Sequence, residues 1–262
     1  MSSNPESSVL NVPPKSGNRW LWFHKLSSPP YAYRTSGVLK PWFWWSAVLL
    51  MLIGLYGGLL LAPPDYQQKD SFRIIYVHVP SASMSLMVYV VMAVAAGVGM
   101  IWRMKLAHAL AAACAPVGAW FSFLALFTGS LWGKPMWGTW WAWDPRVTSE
   151  LIQLFLYLGF IALRNSYEDT QRADRAAAVL AIVGVVNVPV VKYSVEWWNS
   201  LHQGPSYTLT GASIDSSMLW PLFVMLLAFA LYFAAVMCDR LRIEILKRER
   251  NASWLAEIGG KS

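Results

Sequence analysis

Charge is scarce in this 262-residue chain: only 13% of residues are Asp, Glu, Lys or Arg, about half the share found in an ordinary soluble domain. With 56% hydrophobic residues and a mean hydropathy of +0.39, that scarcity argues against a water-soluble globule and for a membrane protein. Cysteine is scarce too. The two present, Cys114 and Cys238, are expected within one span and at the cytoplasmic end of another, so a disulfide is not expected. There is no CxxCH motif for covalent cofactor attachment and no paired CxxC for zinc. A Walker motif is also missing, so any use of ATP would belong to a partner. No internal repeat suggests inverted halves.

What is present is apolar sequence in runs of about 20 residues, the length that crosses a bilayer as a helix. Six can be drawn, at roughly 41–62, 79–102, 108–128, 147–164, 176–193 and 217–238. The expected fold is all-α: a six-helix membrane domain over 41–238 with polar tails at 1–40 and 239–262. No cleavable signal peptide is expected, because forty polar residues precede a first run of full spanning length. Of the 21 basic residues, sixteen fall in the tails and in the loops on the same side, which places both termini in the cytoplasm. The net charge of +7 thus lies on the inner face, where it suits anionic lipid headgroups, and nothing points to nucleic acid.

The outer loops then fall at about 63–78, 129–146 and 194–216. The second reads WGKPMWGTWWAWDPR and holds Trp132, Trp137, Trp140, Trp141 and Trp143, interrupted by Gly133, Pro135 and Gly138. Its spacing fits neither a strand nor a helix. Interfacial tryptophans are ordinary in membrane proteins, but belt residues spread over all helix ends, whereas five in one short loop suggest a binding surface. Asp144 is a fitting N-cap for the fourth helix, with Pro145 at its first position. Glu150 and Gln153 follow just below the surface, where they need polar partners and could brace the loop. Asn187 and Pro189 inside the fifth span suggest a kink or an interhelical contact.

Of four histidines, His24 and His108 sit among basic residues on the inner side and read as surface groups. His78, in RIIYVHVP, and His202, in EWWNSLHQG, lie at the outer side on either flank of the tryptophan loop. Two imidazoles bracketing an aromatic shelf point to a flat, apolar, metal-bearing ligand, a haem. A short interfacial helix over 196–204 would put Trp198 and His202 on one face. Arg73, Lys134, Arg146 and Lys192 are candidates to neutralise haem propionates, although basic residues at a headgroup boundary are common.

Taken together, WGKPMWGTWWAWDPRVTSEL, RIIYVHVP and NVPVVKYSVEWWNSLHQG resemble the tryptophan-rich WWD signature of the CcmC family of system I cytochrome c maturation, over about residues 40–238. The resemblance implies a haem handler, not an enzyme, at the outer face of the bacterial inner membrane. It implies non-covalent, transient b-type haem with His78 and His202 as axial ligands, and a loop from Trp132 to Asp144 that contacts haem and chaperone. The implied partners are the haem chaperone CcmE, the ABC-type subunits CcmA and CcmB, and CcmD. Two other classes remain open on the residues alone: a membrane scaffold that recruits an outer partner without haem, and a quinol-linked oxidoreductase. The latter usually places paired histidines inside its helices.

Overall fold

The computed structural model describes residues 28–204, 207–208, 211–212 and 214–255, so His24 and most of the first tail lie outside the described residues. Six helical stretches are long and apolar enough to cross a membrane: Pro29–Leu61, Asp70–Trp102, Lys105–Trp137, Pro145–Asn165, Thr170–Trp197 and Ser216–Arg248. The expected all-α architecture is therefore present. We label the helices α1 (Pro29–Tyr56, extended by a π turn to Leu61), α2 (Ile75–Trp102, led in by a 3-10 turn from Asp70), α3 (Lys105–Trp137), α4 (Pro145–Asn165), α5 (Thr170–Gly184), α6 (Asn187–Trp197) and α7 (Ser216–Arg248). A short antiparallel pair, Tyr207–Thr208 with Gly211–Ala212, lies between α6 and α7.

Several boundaries differ from those expected, because apolar runs mark the bilayer and a helix does not stop where the bilayer does. Helix α1 begins at Pro29, not at residue 41, with proline in its first turn, where the missing N–H costs nothing. Helix α3 continues to Trp137 and absorbs half of the expected tryptophan loop, Pro135 included. It ends at Gly138, whose φ of 77° is left-handed and favours glycine. In the fifth span the kink anticipated at Pro189 is a full break between α5 and α6. Proline has no N–H for the carbonyl of Val185, which instead accepts from the nitrogen of Val188 at 3.0 Å.

Helix α1 lies along α7, and α2 lies along α3, with α4, α5 and α6 closing the other side. The face of α3 at Ala111–Ala113, Ala115 and Gly118 is buried, and small residues let helices approach closely in a membrane. At Gly118 a Cβ would lie 2.1 Å from the Tyr157 ring, so only glycine admits that ring. The Tyr157 hydroxyl then donates to the carbonyl of Ser85 at 2.6 Å, tying α4 to α2. One to two turns into α4 sits a polar pin: buried Glu150 accepts at Oε1 from Ser85 of α2 and Ser122 of α3, both at 2.8 Å. Gln153, one turn deeper, accepts from Asn187 at 3.0 Å, and Asn187 also donates to the carbonyl of Ser149. Glu150 thus finds its expected partners on α2 and α3, while Gln153 and Asn187 join α4 to α6.

Candidate functional site

Above that pin, the N-terminal ends of α2 and α4, the C-terminal ends of α3 and α6 and the adjoining loops enclose a mostly apolar cavity of about 370 Å³, within the size range of small-molecule sites. His78 and His202 both line it, although 124 positions separate them. Their ring centres are 6.1 Å apart with planes 31° from parallel. Two metal–imidazole bonds of about 2 Å each, with about 1 Å from each nitrogen to its ring centre, call for about 6 Å between centres.

His78 is not in a loop, as its sequence position suggested, but in the first turn of α2, with its side chain buried. Its Nδ1 lies 3.1 Å from Thr128 Oγ1 on α3. The Thr128 hydroxyl donates its single proton to the carbonyl of Leu124 at 2.6 Å, which leaves its lone pairs to accept, so His78 carries its proton on Nδ1. Gly129 eases the approach, since a Cβ there would sit 3.1 Å from His78 Cε1 and press on the ring. His202 reaches the same state by another route: its Nδ1 is 3.0 Å from the carbonyl of Gln203, which can only accept. Both imidazoles therefore keep Nε2 unprotonated. That is the arrangement by which a second-shell acceptor prepares a histidine to bind a metal. Burial, followed by the nearby Arg146 charge, holds the His202 imidazole below its usual pKa, which favours the neutral, ligating form.

The indoles divide by position. Trp132 meets His78 edge-on at 5.5 Å, and Trp137 meets His202 at 6.2 Å. Both extend from the last turns of α3, with Trp132 fixed by its Nε1 donating to Gln68 at 2.8 Å. Trp140 and Trp141 line the cavity from the irregular stretch after Gly138. The buried Nε1–H of Trp141 has no acceptor among the described residues, which is a costly state for a donor and one that a polar group of a ligand would relieve. Trp143 lies outside the cavity, 77% exposed and edge-on to Trp141 at 5.5 Å.

Asp144 is also absent from the cavity lining and acts as a bracket. Its Oδ1 caps α4 by accepting from the Arg146 nitrogen at 2.9 Å. Its Oδ2 accepts from Ser200 Oγ at 2.8 Å and from the Leu201 nitrogen at 2.7 Å, and Ser200 Oγ in turn accepts from the His202 nitrogen at 3.0 Å. One carboxylate thus joins the tryptophan segment to the loop carrying His202. The expected helix over 196–204 does not form. Helix α6 ends at Trp197 and Trp198 is extended, so Trp198 and His202 share no helical face, and exposed Trp198 packs on Trp197 instead. The carbonyl of Ser194 takes the Trp198 nitrogen as the final bond, and the Asp144 bracket then holds the chain in a non-helical path.

The four candidate cations also separate. Arg146 and Lys192 line the cavity. Arg73 is spent on Asp70 and the carbonyl of Gly58, and Lys134 on the carbonyl of Gly138 while lying over the Trp140 ring. Sequence reasoning missed Thr128 and Gly129. They were placed in or beside a loop, so their facing of His78 across two helices had no signal.

Comparison with known proteins gives one family. A family model described as "Heme exporter protein C" matches residues 22–256. A protein of that name from Escherichia coli (strain K12) is 48% identical over 239 residues, covering 91% of this chain and 97% of its own. One from Haemophilus influenzae is 46% identical, covering 91% and 98%, and one from Paracoccus denitrificans is 40% identical, covering 88% and 95%.

Proposed function

Because this chain belongs to the haem exporter protein C (CcmC) family, we propose that it handles haem for cytochrome c maturation, holding it between His78 and His202 on the tryptophan shelf. The observation that carries this reading is the imidazole pair 6.1 Å apart, with both Nδ1 atoms engaged and both Nε2 atoms left to coordinate. Haem supplies the iron. Trp132, Trp137, Trp140 and Trp141 exclude water around its ring, while Arg146, Lys192 and the Trp141 N–H offer partners for its carboxylates.

The site faces the outer side of a bacterial inner membrane, and both termini are cytoplasmic by the distribution of Lys and Arg. Exposed Trp140 and Trp143 border the cavity where a partner would meet the open edge of haem, which we assign to the chaperone CcmE. CcmA, CcmB and CcmD complete the complex. The chain holds and hands over its cargo, and no residue of it acts as a catalyst.

The test is the absorption spectrum of the purified full chain loaded with haem. His78→Ala and His202→Ala should each lose the six-coordinate spectrum and bind haem more weakly. An unchanged six-coordinate spectrum in both variants would remove these residues from the site.

A further inference from the structure

The end of the bundle opposite the two histidines holds a second cavity, of about 1150 Å³, between the last turns of α2, α4 and α7 and the first turns of α3 and α5. Its floor is an ion-paired cluster. Arg248 donates to both oxygens of Asp174 at 2.7 and 2.8 Å. Arg164 joins Asp174 at 3.3 Å to Glu244 at 2.7 Å, and Lys247 reaches Glu244 at 3.4 Å. Asp174 and Glu244 are buried, and these three cations satisfy them.

Four more cations line the same cavity: Arg103, Lys105, Arg175 and Arg250. Among the described residues none of the four has an ion pair or a side-chain hydrogen bond. Among the described residues the only acid left in the lining is Glu168, so they leave the cavity with an excess of uncompensated positive charge. A general excess of basic residues on one side of a membrane requires only exposed cations in loops. It does not require a walled cavity whose buried carboxylates are neutralised by one set of cations while a second set is left over. Beside the cavity the surface turns apolar, with Ile101 70%, Trp102 63% and Val179 52% exposed, as suits acyl chains. Basic pockets between transmembrane helices are recognised sites for anionic lipid headgroups.

We propose that this cavity binds the phosphate headgroup of an anionic phospholipid through Arg103, Lys105, Arg175 and Arg250, with its acyl chains along Ile101, Trp102 and Val179. Free inorganic phosphate shares the headgroup's chemistry but lacks the chains, and the experiment separates the two. The purified full chain is equilibrated with mixed micelles of phosphatidylglycerol and phosphatidylcholine, and bound lipid is read by native mass spectrometry. Wild type should retain phosphatidylglycerol in preference to phosphatidylcholine, and inorganic phosphate should not displace it.

Arg103→Gln and Arg175→Gln should each lower that retention roughly fivefold, as expected for one cation near a lipid surface, and the double variant should lower it further. Lys69→Gln, at the other end of the molecule, should change nothing. All three positions are exposed, and an unchanged melting temperature checks that the fold survives. Equal retention of the two lipids, full retention by the double variant, or displacement of the lipid by inorganic phosphate would each overturn the proposal.

Discussion

At the scale of single residues, the site depends on what holds two imidazoles in one tautomer. Thr128 does this for His78, because its own proton is committed to Leu124 and its oxygen can only receive. Thr128→Val keeps the shape and removes the acceptor. Loss of a second-shell partner of this kind costs about 10- to 100-fold in affinity. A haem titration of Thr128→Val should show a drop of that order, with Thr128→Ser restoring most of it; unchanged affinity in the valine variant would remove Thr128 from this role.

His202 sets the pH response. Burial keeps its folded-state pKa below the ordinary value of about 6.5, so the neutral ring persists to lower pH than a free imidazole would. The stability tied to it is fully present above the ordinary value and is lost as pH falls through the depressed one. Haem affinity should therefore be flat around neutral pH and fall on the acid side, with a midpoint below that of free imidazole. A midpoint above it, read from the Soret band, would contradict this.

At the scale of elements, the question is how a short aromatic stretch and a separate loop come to face each other. Helix α3 carries Trp132 and Trp137 to the cavity on rigid backbone, Gly138 ends the helix, and Asp144 starts α4 while gripping Ser200 and Leu201. Asp144→Ala removes a cap worth about 1 kcal/mol and frees the loop of His202. Amide exchange at Leu201 should accelerate, and haem affinity should fall by more than global stability does. Asp144→Asn, which can still cap, should lie between. Equal protection of Leu201 in the wild type and the alanine variant would show that the bracket holds nothing.

At the scale of the whole molecule, six spans must pack without a strong hydrophobic drive between helices, because lipid is as apolar as their faces. The serine pair on Glu150 therefore carries weight. It joins α2, α3 and α4 at one carboxylate oxygen, directly beneath the cavity. A buried hydrogen bond contributes about 0.5–1.5 kcal/mol net, and groups sharing one partner do not act additively. Ser85→Ala and Ser122→Ala should each lower the melting temperature in detergent. The double variant should depart from the sum of the two, and simple additivity would mean that the serines do not share Glu150.

Much of this architecture could be read without coordinates, for physical reasons. Hydrocarbon thickness imposes runs of about 20 apolar residues, so the number of spans follows from composition and spacing. Asp144 followed by Pro145 marks a helix start, and it does so from the sequence alone. Those are local properties, carried by neighbours in the chain. Whether Trp198 shares a face with His202, which of four cations reaches the cavity, and where the tryptophan loop ends and helix α3 begins depended on backbone paths set by contacts far away in sequence. The alignment of His78 with Thr128 across two helices, and of Asp144 with Ser200 across two spans, exists only once the bundle has closed, because only packing brings such distant positions within hydrogen-bond reach.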